Sequence, residues 1–350
     1  MAKEKKEEKK KEFNINNLVK KLKKEYGTLK VAVDEVEIKG LISTGNKALD
    51  LALDGGVNME SVVELSGFSQ SGKTTIMQLM LADMQKRFNA TGIWLDRENA
   101  FFKNRSEFLG INTSKTMVLK PLDIPTVPDA TDALENILSN IPKDEYKFIA
   151  IDSISSFDDT AKTKKSDMGK KAQHVHRLFR RILPYVDDKT LFVFVNQRTY
   201  LVGVLYGDNT TTTSGEAGKY YSNFRIELDN GRNLIDINRG NEIIGNWMNA
   251  KVIKTRFGPS LREIKFQHLF KKGIPYLSGY IRLLANRNIV QPKNKKEFNS
   301  FKQTTIKYKD KELQEYNVEQ ILKDYPELIF DIYPEYNVEE EKIEEENTSE

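Results

Sequence analysis

The chain has 350 residues, 39% of them hydrophobic and 30% charged, with a formal net charge of +4; this is the profile of a soluble globular protein with room for one large or two modest domains. It has no cysteine and three histidines, which excludes disulfides, thiolate metal sites and cysteine nucleophiles and leaves little for zinc or redox chemistry. No run approaches the roughly 18 apolar residues needed to cross a bilayer, and no apolar stretch follows the opening Lys/Glu mixture, so the expected location is intracellular and cytoplasmic, with no membrane partner.

Residues 1–12 are a low-complexity Lys/Glu run, the composition of a disordered segment. From Asn14 to Lys24, Leu18 and Leu22 among lysines predict a short amphipathic helix. Leu29-Lys30-Val31-Ala32-Val33 then alternates loosely, as an extended stretch does that pairs with its own sheet or with a neighbouring subunit's edge. From about Leu41 to Phe266 strand and helix patterns alternate, which predicts an α/β core with a largely parallel sheet covered on both faces. The strands read as Val62–Leu65, Gly92–Asp96, Phe148–Asp152, Leu191–Asn196 and Phe224–Leu228, each mostly apolar.

Between the first of these strands and a helix carrying Ile76, Leu79, Met80 and Met84 lies Gly67-Phe68-Ser69-Gln70-Ser71-Gly72-Lys73-Thr74, followed by Thr75. It fits the pattern GxxxxGK[ST] at every defined position: glycines admit backbone N–H groups to phosphate oxygens, Lys73 places a charge at the β- and γ-phosphates, and the Thr74 hydroxyl can ligate Mg²⁺. ATP and Mg²⁺ are the cofactors this implies. Asp152 ends a strand, where a phosphate-loop ATPase puts a carboxylate near the cation. Asp96 and Glu98 end another, and either could take a proton from an attacking water; alternation lets only one point inward, and the spacing does not choose. Asn196-Gln197 ends the next strand, where an amide can touch the γ-phosphate and report hydrolysis to the loop beyond.

That loop, Arg198 to Gly218, holds Gly203, Gly207, Gly215, Gly218 and four consecutive threonines, Thr210 to Thr213; it is too polar for a core, and its amides and hydroxyls suit a phosphate backbone. A second loop, Asp158 to Lys171, carries Lys162, Lys164, Lys165, Lys170 and Lys171 and runs into Arg177, Arg180 and Arg181. Two such loops leaving adjacent strand ends beside a nucleotide site predict a nucleic-acid groove. Beyond Gly273 the apolar groups are shorter and lie among lysines and tyrosines, the mark of a small C-terminal lobe, and Glu335 to Glu350 is almost wholly acidic against a more basic body. The expected divisions are a tail and oligomerisation segment at 1–40, an ATPase core with two nucleic-acid-binding loops at 41–272, the lobe at 273–334 and an acidic disordered tail at 335–350.

Over roughly 41–290 these residues resemble the RecA/UvsX recombinase family. The resemblance rests on Ile42-Ser43-Thr44-Gly45 with Leu49-Asp50, on Asp96-Arg97-Glu98 and on Ile151-Asp152-Ser153. It also rests on Ser166-Asp167-Met168-Gly169, on Val195-Asn196-Gln197, and on Gly203-Val204-Leu205-Tyr206-Gly207 through Thr211-Thr212-Thr213, Gly215 and Lys219-Tyr220-Tyr221. It implies a RecA-like core, Glu98 as the water-activating carboxylate and Gln197 as nucleotide sensor. Met168 and Gly169 fall in a first DNA-binding loop, and Gly203, Val204, Tyr206, Thr211, Thr212, Thr213 and Gly215 in a second. Lys254 and Arg256 stand where the family reaches a neighbour's γ-phosphate, and Leu29 or Val31 where it donates a strand. Arg105 replaces the family's adenine-stacking tyrosine, with Phe101 and Phe102 nearby; Gln173 and Thr199 replace loop arginines, whereas Arg180 is retained. The N-terminus and the Lys-rich lobe look closer to divergent viral members. The implied function is ATP-dependent filament assembly on single-stranded DNA, homology search and strand exchange with double-stranded DNA, with single-strand-binding or loader proteins as further partners. Two other readings share the phosphate loop: a ring-forming, helicase-like motor, and a DNA-coating protein that uses ATP as a structural ligand.

Overall fold

The computed structural model describes residues 15–23, 40–157, 168–200, 210–212, 217–236, 240–256, 262–286, 288–295, 305–314, 318–326 and 328. Met1–Gly40 is a unit of its own, and its described element is the helix α1 (Ile15–Leu22), within the predicted amphipathic span. The extended stretch Leu29–Val33 and the acidic tail lie outside the described residues.

In the second unit the strands are β1 (Ser61–Gly67), β2 (Thr91–Asp96), β3 (Thr116–Leu119), β4 (Lys147–Asp152), β5 (Thr190–Tyr200), β6 (Thr210–Thr212), β7 (Phe224–Asp236), β8 (Glu242–Lys254) and β9 (Arg262–Leu269). Their order is β3-β2-β4-β5-β1-β7-β8-β9, with β6 paired to the end of β5. Pairing is parallel from β3 to β7 and antiparallel for β8 and β9. The helices are α2 (Lys47–Ala52), α3 (Lys73–Phe88), α4 (Lys103–Phe108), α5 (Val127–Asn140), α6 (Met168–Ile182), α7 (Ala217–Tyr221), α8 (Tyr280–Asn286) and α9 (Val318–Asp324).

Strand alternation explains why helices cover both faces. Val63, Leu65, Trp94, Phe148, Ala150, Leu191 and Val193 pack with Ile76, Met77, Met80 and Met84 of α3. Their neighbours Val62, Ile93, Leu95, Ile149, Ile151, Phe192 and Phe194 pack with Leu134 and Leu138 of α5 and with Val175, Leu178 and Phe179 of α6. Every second residue therefore enters one of two apolar layers, which is why the central strands read as continuous hydrophobic runs. α5 starts on a capping box, Thr126 with Asp129, and carries proline in its first turn, so its N-terminus is set by local chemistry.

Two strands exceed their predicted lengths. β5 continues past Asn196 because Arg198, Thr199 and Tyr200 pair with Thr212, Thr211 and Thr210, so part of the predicted loop is a short hairpin arm. β7 continues past Leu228 because β8 supplies antiparallel partners out to Asp236↔Glu242. Toward the C-terminus β10 (Gln291–Pro292), β11 (Thr305–Tyr308) and β12 (Lys311–Gln314) form a separate small sheet. Ile306, Tyr308, Ile321, Leu322 and Leu328 nevertheless join the same apolar cluster as Tyr280, Leu284 and α3, and the Tyr280 hydroxyl donates to the Leu328 carbonyl at 3.0 Å.

Phe179 is the keystone of the α6 layer: its ring stacks on Tyr221 at 4.9 Å and meets Phe194 edge-on at 5.2 Å and Phe192 at 5.6 Å. Phe179→Ala should lower the unfolding free energy by about 3–5 kcal/mol, read as an earlier midpoint in urea or guanidinium unfolding; a change under about 1 kcal/mol would contradict this packing.

Candidate active site

Gly67 closes β1 at φ 156°, and a Cβ there would lie 2.1 Å from the Leu228 carbonyl oxygen on β7; only glycine permits that approach. Gln70 and Gly72 take left-handed φ values of 62° and 75°, which turns the chain back on itself before α3. Gly72 caps α3 with no side-chain hydrogen bond, so the first amides of the helix stay available to an anion. Lys73 folds over the loop and donates to the Phe68 carbonyl at 2.5 Å and to Ser71 Oγ at 3.2 Å. Burial pulls its pKa down, against the pull of Glu98, Asp152 and Asp229.

The loop forms one wall of a cavity of about 410 Å³ that is also lined by Glu98, Asp152 and Gln197. Asp152 is fully buried. Its Oδ2 accepts from Thr74 Oγ1 at 2.7 Å, and its Oδ1 has no hydrogen-bond partner. Desolvation, reinforced by Glu98 and Asp96, raises its pKa from 3.8 to about 7, although the Thr74 hydrogen bond and Lys73 oppose the shift. A buried carboxylate oxygen with nothing to bind, beside a threonine hydroxyl, fits a divalent cation. No cluster of three metal-ligating side chains occurs among the described residues. Such a cation would complete its shell with phosphate oxygens and water, as Mg²⁺ does.

Alternation does not separate Asp96 from Glu98, which are two residues apart, but the end of β2 at Asp96 places them differently. Asp96 is fully buried and does not line the cavity; it is bound by Lys120 Nζ at 2.5 Å and by the amides of Ala100 and Phe101 at 2.9 and 3.1 Å. Glu98 is exposed to the cavity, and its Oε1 accepts from Gln197 Nε2 at 2.7 Å and from Ser156 Oγ at 3.0 Å. Asn196, read together with Gln197 as a possible phosphate contact, is fully buried and points to Glu64 instead, because adjacent residues of a strand face opposite ways.

The far end of the cavity is made by Arg105, His268 and Phe270. Arg105 Nη1 donates to the Phe270 carbonyl at 2.9 Å, while the Phe270 ring stays half-exposed at 46%. Among the other aromatics considered, Phe101 packs on Trp94 at 5.2 Å and Phe102 is exposed. His268 lies between Phe270 and the loop, with Nε2 3.4 Å from Thr75 Oγ1. Burial, with some help from Arg105, lowers its pKa to about 4, so it is neutral at physiological pH. His268 and Phe270 escaped sequence reasoning. The usable signal was the inward alternation Ile264, Phe266, His268 along β9.

Other predicted residues lie elsewhere. Lys254 is level with Arg225 and Glu64, whereas Gly67 is level with Leu228 and Ala250. Lys254 is thus about 13 Å farther along the sheet, where its Nζ donates to the Ser222 carbonyl at 2.7 Å, and exposed Arg256 lies beyond it. Met168 and Gly169 open α6, followed by exposed Lys170. Gln173, His176, Arg177 and Arg180 of that helix line an open groove of about 440 Å³. Arg198 is 11% exposed and meets Glu227 and Asp229, with its guanidinium 5.4 Å over the Phe68 ring. Thr211 and Thr212 lie in β6; Gly203, Val204, Tyr206, Thr213, Gly215 and the lysines at 162, 164 and 165 lie outside the described residues.

A family model described as the RecA N-terminal domain matches residues 13–275. The chain is 29% identical over 318 residues to Protein RecA of Caulobacter vibrioides, covering 89% of this chain and 84% of the relative. It is 31% identical over 265 residues to Protein RecA of Thioalkalivibrio sulfidiphilus, covering 74% of each, and 30% identical over 256 residues to that of Dichelobacter nodosus, covering 71% and 70%.

Asp152 makes a testable difference to stability. Between the ordinary carboxylate pKa of 3.8 and about 7, the folded state keeps a proton that the unfolded state has released, so this group's contribution falls as pH rises through that window. Without divalent cations, Asp152→Asn should therefore gain stability relative to the parent as pH goes from 5 to 8 in denaturant titrations; a pH-independent difference would contradict the burial argument.

Proposed function

Because the chain belongs to the RecA family, it is an ATP-dependent recombination protein with DNA-dependent ATPase activity, and we propose that the cavity between β1, β4 and β5 is where it binds and hydrolyses ATP. One observation carries this reading: the phosphate loop, the bare Asp152 oxygen and the bonded pair Glu98–Gln197 line the same cavity. In this reading the amides from Gly67 to Thr75 hold the phosphates and Lys73 neutralises the β- and γ-oxygens. Thr74 and Asp152 would hold Mg²⁺, which when bound supplies positive charge against the transferring phosphoryl group. Glu98 takes the proton of the attacking water. Turning the Gln197 amide toward the γ-phosphate loosens its bond to Glu98, so one amide reads the nucleotide and frees the base. Arg105 and Phe270 flank the space for the adenine.

Lys254 and Arg256 complete the site of the next protomer. They are too far along the sheet to serve their own loop, and cations supplied from a neighbour stabilise phosphoryl transfer as an arginine finger does. This is consistent with self-association into filaments. DNA lies along the α6 groove at Arg180 and Lys170 and between the two loops, including Met168, Gly169, Arg198 and the glycine–threonine segment, held mainly through phosphates and therefore weakened by salt. Family membership argues against the ring-forming motor.

Electron microscopy with single-stranded DNA and a non-hydrolysable ATP analogue tests the assembly: helical filaments should need both ligands, and closed rings or no assembly would overturn it. The shared site makes a second prediction. Lys73→Ala and Lys254→Ala should each lose DNA-stimulated hydrolysis, but their equimolar mixture should recover roughly a quarter of parental activity, because random neighbours rebuild intact interfaces at that frequency. No recovery would place Lys254 outside the neighbour's site.

A further inference from the structure

Glu64 lies in the middle of β1 with its side chain 1% exposed, on the strand face whose neighbour Val62 belongs to an apolar layer. A buried charge there is a poor source of stability, since well-packed apolar groups often do as well. Its contacts are specific. Arg225 Nε donates to Oε2 at 2.5 Å, and Asn196 Nδ2 donates to Oε1 at 2.7 Å. The Asn196 side-chain Oδ1 accepts from Ser155 Oγ at 3.1 Å, and that hydroxyl accepts from the Gln197 backbone N–H at 2.8 Å. The Ser155 hydroxyl therefore joins the two residues, accepting the Gln197 N–H on a lone pair and giving its own proton to Asn196.

The network touches both loops. Lys171, at the end of the lysine-rich loop, donates to the carbonyls of Ser155 at 2.9 Å and Phe157 at 2.7 Å. Gly218, in the first turn of α7 directly after the glycine–threonine loop, rests on the Glu64 carboxylate, where a Cβ would lie 2.6 Å from Oε1 and 2.8 Å from Cδ. The carboxylate is pinned by Arg225 and Asn196 and has nowhere to withdraw.

We propose that Asn196 is a positioning residue that, with Ser155 and Glu64, transmits the state of Gln197 to the bases of both DNA-binding loops. When Gln197 turns from Glu98 toward a γ-phosphate its backbone shifts, Ser155 and Asn196 follow, and the carboxylate beneath Gly218 and the carbonyls that hold Lys171 move with them. In a low-dielectric interior such a chain moves as a unit, because each broken link leaves a buried polar group bare. The inference rests on the proposed nucleotide-dependent DNA binding and adds the route.

The test uses the full chain. Affinity for a fluorescent single-stranded oligonucleotide is measured with and without a non-hydrolysable ATP analogue, together with the affinity for the analogue alone and the thermal unfolding midpoint. Asn196→Ala, Ser155→Ala and Gly218→Ala should each cut the factor by which nucleotide raises DNA affinity by about fivefold or more, while affinity for the analogue alone stays within about twofold. A merely structural role would lower the midpoint and leave that factor alone. Should Asn196→Ala fail to fold, Ser155→Ala and Gly218→Ala decide. An unchanged factor in folded variants overturns the route and leaves the functional reading intact; a parent protein whose DNA affinity ignores nucleotide overturns the functional reading and the route with it.

Discussion

Strands covered on both faces leave little freedom at their carboxyl ends. Each residue must enter one apolar layer or the other, and the first residues past the layers inherit that parity. Here parity and the strand ends decide which polar side chains reach the cavity. Asp96 and Glu98 share one parity and are separated by the end of β2 instead: Asp96 is held by Lys120 and the following turn, whereas Glu98, past the strand, lines the cavity. Gln197 reaches the cavity and Asn196 does not. Asp152 emerges level with Asp96 on the neighbouring strand and meets Thr74 at the start of α3. The groups that converge on the phosphate loop come from strands far apart in sequence, and the hydrogen-bond register of a parallel sheet is what aligns them.

The cavity is organised by unmet electrostatic demand. Lys73 is desolvated and held on the loop's own oxygens, desolvation raises the pKa of Asp152 to about 7, and the first turn of α3 has no side-chain cap. Each group is more costly alone than with an anion and a divalent cation between them, so a bound nucleotide relieves three penalties together. The same reasoning explains the neutral imidazole of His268 beside the loop, where a cation without a carboxylate partner would be penalised.

How much could be read beforehand followed from how local the signal was. The phosphate loop needs backbone freedom at Gly67 and Gly72 and a charge at Lys73, all within a few residues, and was legible at once. The central strands were legible because two-sided burial writes them as apolar runs such as Phe148–Ile151 and Leu191–Val195. The ends of β5 and β7 were not, since Arg198–Tyr200 and Asp229–Asp236 are mostly polar and pair with the partners β6 and β8 supply. His268 and Phe270 lie on a strand whose place in the sheet depends on β8, so their approach to the loop is a tertiary fact. The role of Glu64 was equally hidden: one acidic residue in an apolar strand does not announce that asparagine, arginine and a glycine helix turn will close around it.

β8 has two appointments. Near its middle the Met248 sulfur lies where a Cβ on Gly72 would come within 2.8 Å of it, so the strand floors the phosphate loop; at its end it carries Lys254. A β-strand is stiff along its length, and the stretch between these residues spans about 20 Å. If each protomer floors its own nucleotide with one part of the strand and completes its neighbour's with the other, then β8 is a ruler. The distance between those two places is then fixed by covalent geometry along one strand of a single chain.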